Sequence, residues 1–230
     1  VTRRQRQMCI RDRNTNAENQ SKWVLITSAW GFSVFVGAYI SSSYSGAHLN
    51  PAVTIGLAVA GKFSWALVPH YILSQLIGSM LGSWINYILY IDHYKITKDE
   101  NLVKGTFFTG PSIRNLKNNF FSEFVGTFVL VFGIFFIASP IISIDGIETI
   151  NYGIGSLESL PVGILGWVIG ISLGGTTGYA INPARDLGPR IVYQLIPRKN
   201  KDADWNYSFI PIFGPILGSV AAGLLYSLIS

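Results

Sequence analysis

Charge is what this sequence has least of. Only 13% of its 230 residues are Asp, Glu, Lys or Arg, against 49% apolar ones, about half the charged share of an ordinary soluble domain. Cysteine is nearly missing. Cys9 is the single one, so disulfides, a core thiol nucleophile and a thiolate metal site are all excluded. The three histidines, His48, His70 and His93, are too scattered for a ligand cluster. No glycine-rich phosphate loop, coupling-ion site or redox centre is visible, and no base is paired with a nucleophile. The reading is therefore a non-enzyme with no catalytic residue, no metal and no cofactor.

What the chain has is long uncharged runs. None of the charged residue types occurs in 23–61, 63–91, 124–144, 159–184 or 205–230. A membrane-spanning helix needs about 20 apolar residues, and each run supplies them. The runs predict five spans near 23–43, 65–91, 120–143, 160–179 and 208–229. Glycine pairs four apart, Gly78 with Gly82 and Gly166 with Gly170, mark faces where membrane helices approach closely. The net charge of +5 is mostly local: Val1 to Arg13 holds five Arg and one Asp, a surplus of four. That opening resembles a translated sequencing-adapter artefact more than a basic arm for anionic lipid or nucleic acid. Residues 1–21 are set aside as a non-native or disordered segment, and no nucleic-acid partner is expected.

Two Asn-Pro-Ala triplets, 50–52 and 182–184, stand 132 positions apart (182 − 50) inside uncharged runs. Asn is a preferred helix N-cap and Pro suits the first helical position. A helix begun at membrane depth requires that protein or a watery lumen satisfy its irregular approach. The second half reads span, span, short helix, span, with Glu123 opening its first span. The first half reads span, short helix, span, so the partner of that first span is expected upstream of the sequence in hand. A three-span unit has an odd number of crossings and its copy is inverted, so the two short helices enter from opposite faces and meet near the midplane. The expected organisation is one channel domain over 22–230. It comprises an incomplete first repeat (22–91), a polar connecting loop (92–118) with solvated charges Asp92, Asp99 and Glu100, and a second repeat (119–230).

The segments Ser45-Gly46-Ala47-His48-Leu49-Asn50-Pro51-Ala52-Val53-Thr54 and Gly178-Tyr179-Ala180-Ile181-Asn182-Pro183-Ala184-Arg185-Asp186 resemble the two signature loops of the aquaporin superfamily, and within it the glycerol facilitators. The resemblance covers about 22–230. It implies an all-α membrane fold, an inverted repeat with two re-entrant half-helices, and a homotetramer in the cell membrane. The implied activity is passive diffusion of glycerol and small polyols, with water, through a pore in the lipid bilayer that excludes ions and protons. Asn50 and Asn182 would donate amide hydrogens at the pore centre. The backbone carbonyls of Gly46, Ala47, His48 and Leu49, and of Gly178, Tyr179, Ala180 and Ile181, would accept solute hydroxyls. Trp30, Gly170, Tyr179 and Arg185 match the selectivity filter, Gly170 leaving room where water-selective members usually carry His. Asp186, Arg190 and the pair Pro211-Ile212 match the glycerol-conducting branch. Glu123, Asp186 and Arg190 are read as supports of the re-entrant loops.

Tyr179 stands where well-known glycerol channels commonly have Phe, which keeps a mainly water-conducting pore as the alternative. A non-conducting structural or truncated member is a second alternative. Orientation poses a conflict. The family arrangement puts 92–118 and 186–204 outside, yet they hold Lys95, Lys98, Lys104, Arg114, Lys117, Arg190, Arg198, Lys199 and Lys201. The positive-inside rule would place that side in the cytoplasm; the family orientation is adopted.

Overall fold

The computed structural model describes residues 20–137, 141–142, 150–151, 155–198 and 201–230; the proposed artefact at the N-terminus falls almost wholly outside them. In chain order the helices are α1 (Gln20–Ser45), α2 (Pro51–Val59), α3 (Val68–Leu89), α4 (Ile91–Ile96), α5 (Glu100–Phe107), α6 (Leu116–Phe135), α7 (Leu160–Leu173), α8 (Pro183–Leu195) and α9 (Trp205–Ile229). Single 3-10 turns precede α3 (Trp65–Leu67) and α7 (Gly155–Ser159), and a two-residue antiparallel pairing joins Ile141–Ile142 to Ile150–Asn151. The architecture is otherwise helical, as the uncharged runs require.

Four helical stretches are long and apolar enough to cross a membrane: Lys22–Ser45, Trp65–Leu89, Leu116–Phe135 and Trp205–Ile229, with Leu157–Leu173 a shorter apolar one. Two of the expected spans are trimmed. The run expected to reach 143 leaves the helix at Phe135, where the Phe136 N–H turns back to Gly133 and Ile134. The run expected to reach 179 stops at Leu173, because Gly174 and Gly175 are poor helix formers and Glu123 claims the downstream N–H groups of Ala180 and Ile181.

Close helix-to-helix packing is concentrated at other glycines than the expected pairs. A Cβ built on Gly218 would lie 2.2 Å from Phe124 O, so α9 meets α6 backbone to backbone. Gly31 and Gly163 do the same for α1 and α7, each Cβ falling 2.7 Å from a side-chain carbon of the other helix. Gly78, Gly82 and Gly166 face nothing within 4 Å among the described residues. The periodicity was visible in the sequence; which face had a neighbour was not.

The 92–118 connection is structured rather than a solvated loop. Asp99 caps α5 by accepting the Asn101 N–H, and Asp92 pairs with Lys95 at the surface. Glu100 is not a free charge: it accepts Tyr193 Oη at 2.5 Å and Arg198 Nε at 2.6 Å. Arg198 also donates to Tyr94 O and Thr97 O. Beneath this clamp Tyr94, Val103, Phe107, Phe108, Val192, Tyr193 and Ile196 form a core that seats α4 and α5 on α8. Lys104 reaches Asp202 across the same face; the Asp204 N–H first, and then Lys104, hold the Asp202 carboxyl below the usual carboxylate range.

Candidate functional site

The helix starts at the two triplets are built alike. Asn50 has an extended backbone, its Oδ1 accepts the Ala52 N–H at 2.8 Å, and Pro51 opens α2. Asn182 accepts from Ala184 and Arg185 at 3.0 and 3.2 Å, and Pro183 opens α8. Each Asn then reaches across to the other loop. Asn50 Nδ2 donates to Ile181 O at 2.7 Å, and Asn182 Nδ2 donates to Leu49 O at 2.9 Å. The half-helices are thus locked tip to tip, each asparagine bonding to the carbonyl that precedes its counterpart. An amide has two hydrogens, so this brace commits one and leaves the second of each Asn.

The approaching segments share an unusual backbone. Positive φ occurs at Gly46, Ala47 and Leu49, and again at Gly178, Tyr179 and Ile181, the same three places in each repeat. For residues other than glycine such a conformation costs about 1–2 kcal/mol each and survives only where the surroundings impose it. In the second loop the imposing group is Glu123, fully buried on α6. Its Oε1 accepts Thr177 Oγ1 and the Ala180 N–H at 2.6 and 2.9 Å, and its Oε2 accepts the Ile181 N–H at 2.8 Å. With the N–H groups held on the Glu123 side, the chain cannot relax into helix.

Behind α8 a second support is assembled. Asp186 Oδ2 accepts the Thr109 N–H and hydroxyl at 2.8 and 2.5 Å, while Oδ1 takes Arg190 Nε at 2.8 Å. Arg190 extends to Ala203 O at 2.5 Å and Thr109 O at 3.2 Å and lies over the Phe108 ring. Both side chains have no exposed surface. A buried ion pair whose remaining groups are all hydrogen-bonded acts as a rigid bracket, and removing one partner would strand the other.

A cavity of about 930 Å³ runs past this centre, between α1, α3, the half-helix tips and the α5 end. Trp30, His48, Leu49, Asn182, Ala184 and Arg185 line it. The Arg185 guanidinium lies over the Trp30 ring, 4.2 Å from its centroid, so an apolar plane and a cation face the same space. On the α3 side Ser74, Gly78 and Gly82 line it, and a Cβ on either glycine would meet nothing within 4 Å among the described residues.

Other residues of the expected pore do not line this cavity. Asn50 is 5% exposed, and Tyr179, Ala180 and Ile181 are buried; with Gly46, Ala47, Gly178 and Gly170 they do not border the cavity. At Gly170 the room is not open. A Cβ there would meet Tyr179 Cζ at 2.7 Å, so the tyrosine ring occupies the space that the glycine leaves. Tyr179 also meets Trp23, edge to face at 5.8 Å, and Trp23 Nε1 donates to Gly170 O at 3.0 Å. Trp23, Thr177 and Thr109 are supporting residues that sequence reasoning missed. An indole at a span's end carries a weak signal, but the two threonines act across 54 and 77 positions and carry none.

Residues 7–226 match the family model described as major intrinsic protein. The chain belongs to the major intrinsic protein family. Among curated members, it is 46% identical to glycerol uptake facilitator protein 3 of Lactiplantibacillus plantarum, over 94% of this chain and 86% of that one. It is 47% identical to the glycerol uptake facilitator protein of Bacillus subtilis, over 90% and 72%. Among solved structures, the aquaglyceroporin from Plasmodium falciparum superposes with a TM-score of 0.76 at 33% identity, covering 89% of this chain and 81% of that one. The family fold is the multi-pass membrane architecture described above, and the braced half-helices lie at its centre.

Proposed function

We propose that this chain is a passive membrane channel for glycerol and similar small uncharged solutes, with water sharing the path. The observation that carries the reading is the placing of Arg185 on Trp30 beside two helix N-termini whose asparagines are cross-braced. A polyol has a hydroxylated side and a carbon side; Arg185 and the uncommitted Asn182 amide hydrogen donate to the first, and the Trp30 ring contacts the second. Helix N-termini carry roughly half a positive charge each, and Arg185 adds a full one, so cations are repelled while neutral solutes pass. A donor-only centre also orients water oxygens toward both tips, which breaks a proton wire. Nothing in this arrangement draws on an energy source, and transport runs downhill. The close relatives named for glycerol uptake support the same substrate class, and a homotetramer with one pore per subunit is proposed with it.

One observation favours a second reading, a pore that conducts mainly water: the Tyr179 ring fills the space at Gly170. Stopped-flow swelling of proteoliposomes separates the two. Under a glycerol gradient the vesicles should re-swell several-fold faster than protein-free ones, and under a sorbitol gradient they should not. Fast osmotic water flow with no glycerol re-swelling would reject the first reading in favour of the second.

A further inference from the structure

Trp23, in the first turn of α1, stands where a membrane-interface anchor would, but it is not on the surface. It is 7% exposed and packs in one cluster with Ile169, Tyr179 and Ile181. An interface aromatic keeps its polar edge among headgroups, whereas a buried indole must find its N–H a partner inside the protein. That partner is Gly170 O, at 3.0 Å. Gly170 lies in the last turn of α7, where carbonyls lack an intrahelical donor. The indole therefore closes an acceptor that the helix end leaves open, and the bond fixes both.

The rings are held as tightly as the N–H. A Cβ built on Gly174 would lie 2.7 Å from Trp23 Cζ2 and 2.6 Å from Tyr179 Cδ1, and one on Gly170 would lie 2.7 Å from Tyr179 Cζ. Two glycines four apart on one face of α7 thus give a bare surface on which both rings rest, and the rings meet edge to face at 5.8 Å. The Tyr179 backbone has a φ of 37°, a conformation that persists only where neighbours impose it. Glu123 holds the next two N–H groups, and Trp23 bounds the side chain.

Neither ring borders the cavity, but Ile26 and Trp30 do. They follow Trp23 by three and seven positions, on the same face of α1. Ile26 also packs against the cluster that contains Trp23 and Tyr179, so it has the cavity on one side and that cluster on another.

We propose that Trp23 is a positioning residue for selectivity: by fixing Tyr179 on α7 and backing Ile26 it sets the largest polyol that passes. The proposal rests on the channel reading above. The indole touches no solute. Removing it frees space behind the lining, into which packed neighbours relax in part. That movement is away from the lumen, so discrimination by size weakens.

The test is stopped-flow re-swelling of proteoliposomes holding the full chain, with glycerol and erythritol gradients applied to the same vesicles. The ratio of the two permeabilities cancels differences in the amount of folded protein, which is all that a merely structural role would alter. Trp23→Ala should raise the erythritol-to-glycerol ratio about fivefold, and Trp23→Phe, which keeps an aromatic edge but loses the N–H, less than about twofold. Both permeabilities lowered in parallel by Trp23→Ala, with the ratio unchanged, would overturn the proposal and leave the channel reading intact. No glycerol re-swelling by the unmodified protein would overturn both. Should Trp23→Ala fail to fold, Trp23→Leu frees less space and should still raise the ratio about threefold; an unchanged ratio there refutes the assignment.

Discussion

Gly170 lacks a side chain because Tyr179 takes the space, and that changes what the position does. Read from sequence, the glycine widens the filter; in the structure it leaves room for an aromatic ring, which Trp23 meets edge to face. We propose that the seating of Tyr179 controls the passage from behind its lining residues. Gly170→Ala puts a methyl carbon 2.7 Å from that ring, well inside contact distance, so the ring must shift, and we propose that it shifts toward the lumen. Glycerol permeability should drop about tenfold, equivalent to ~1.4 kcal/mol, and water permeability much less. Stopped-flow light scattering on the same vesicles reports both, and equal losses would remove Tyr179 from control of the filter.

At the scale of elements, the half-helices were legible and their coupling was not. Asn-Pro announces a helix start by local chemistry alone, since the cap and the missing proline N–H act within three residues. The bonds from Asn50 to Ile181 and from Asn182 to Leu49 span 131 and 133 positions, and no local pattern encodes them. Replacing either asparagine by alanine should cost about 1 kcal/mol for the cap and about 1 kcal/mol for the cross bond. Because each change disturbs both tips, the pair should be non-additive, with a coupling energy of about 0.5 kcal/mol or more. Unfolding in mixed detergent micelles of the two single variants and the double variant measures it; simple additivity would mean that the tips are capped independently. The supports follow the same division. The Asp186–Arg190 pair is four apart on one helix and was readable as a unit, whereas Thr109 and Ala203, which complete it, come from connections on either side.

For the whole molecule, the open issue is orientation. Among the described residues, five of the cations on the 92–118 and 186–204 side pair with acids: Lys95, Lys104, Arg114, Arg190 and Arg198. Three of those pairs join separate segments: Lys104–Asp202 ties α5 to the 202–204 turn, Arg114–Asp204 ties the approach to α6 to the same turn, and Arg198–Glu100 ties the chain after α8 to α5, so these cations have a structural use on that face. Pairing after folding does not govern insertion, which responds to Lys and Arg in short loops, and the orientation stays a proposal based on the family. Lys117→Cys in a Cys9→Ser background supplies a single thiol on this face. A membrane-impermeant maleimide added to intact cells should label it fully; labelling only after permeabilisation would invert the assignment.

The sequence by itself determined the helical membrane class, the two half-helix starts, the repeat and the resemblance that names the family. These are local or periodic properties, carried by uncharged runs of the right length and by residues that act within a turn of themselves. Only the tertiary structure decided which glycines are contacts, where the second re-entrant segment leaves its helix, that Glu100 and Arg198 form a clamp, and that Tyr179 fills the place beside Gly170. Each depends on a neighbour brought in from many residues away, and a one-dimensional pattern has no record of which face that neighbour will cover.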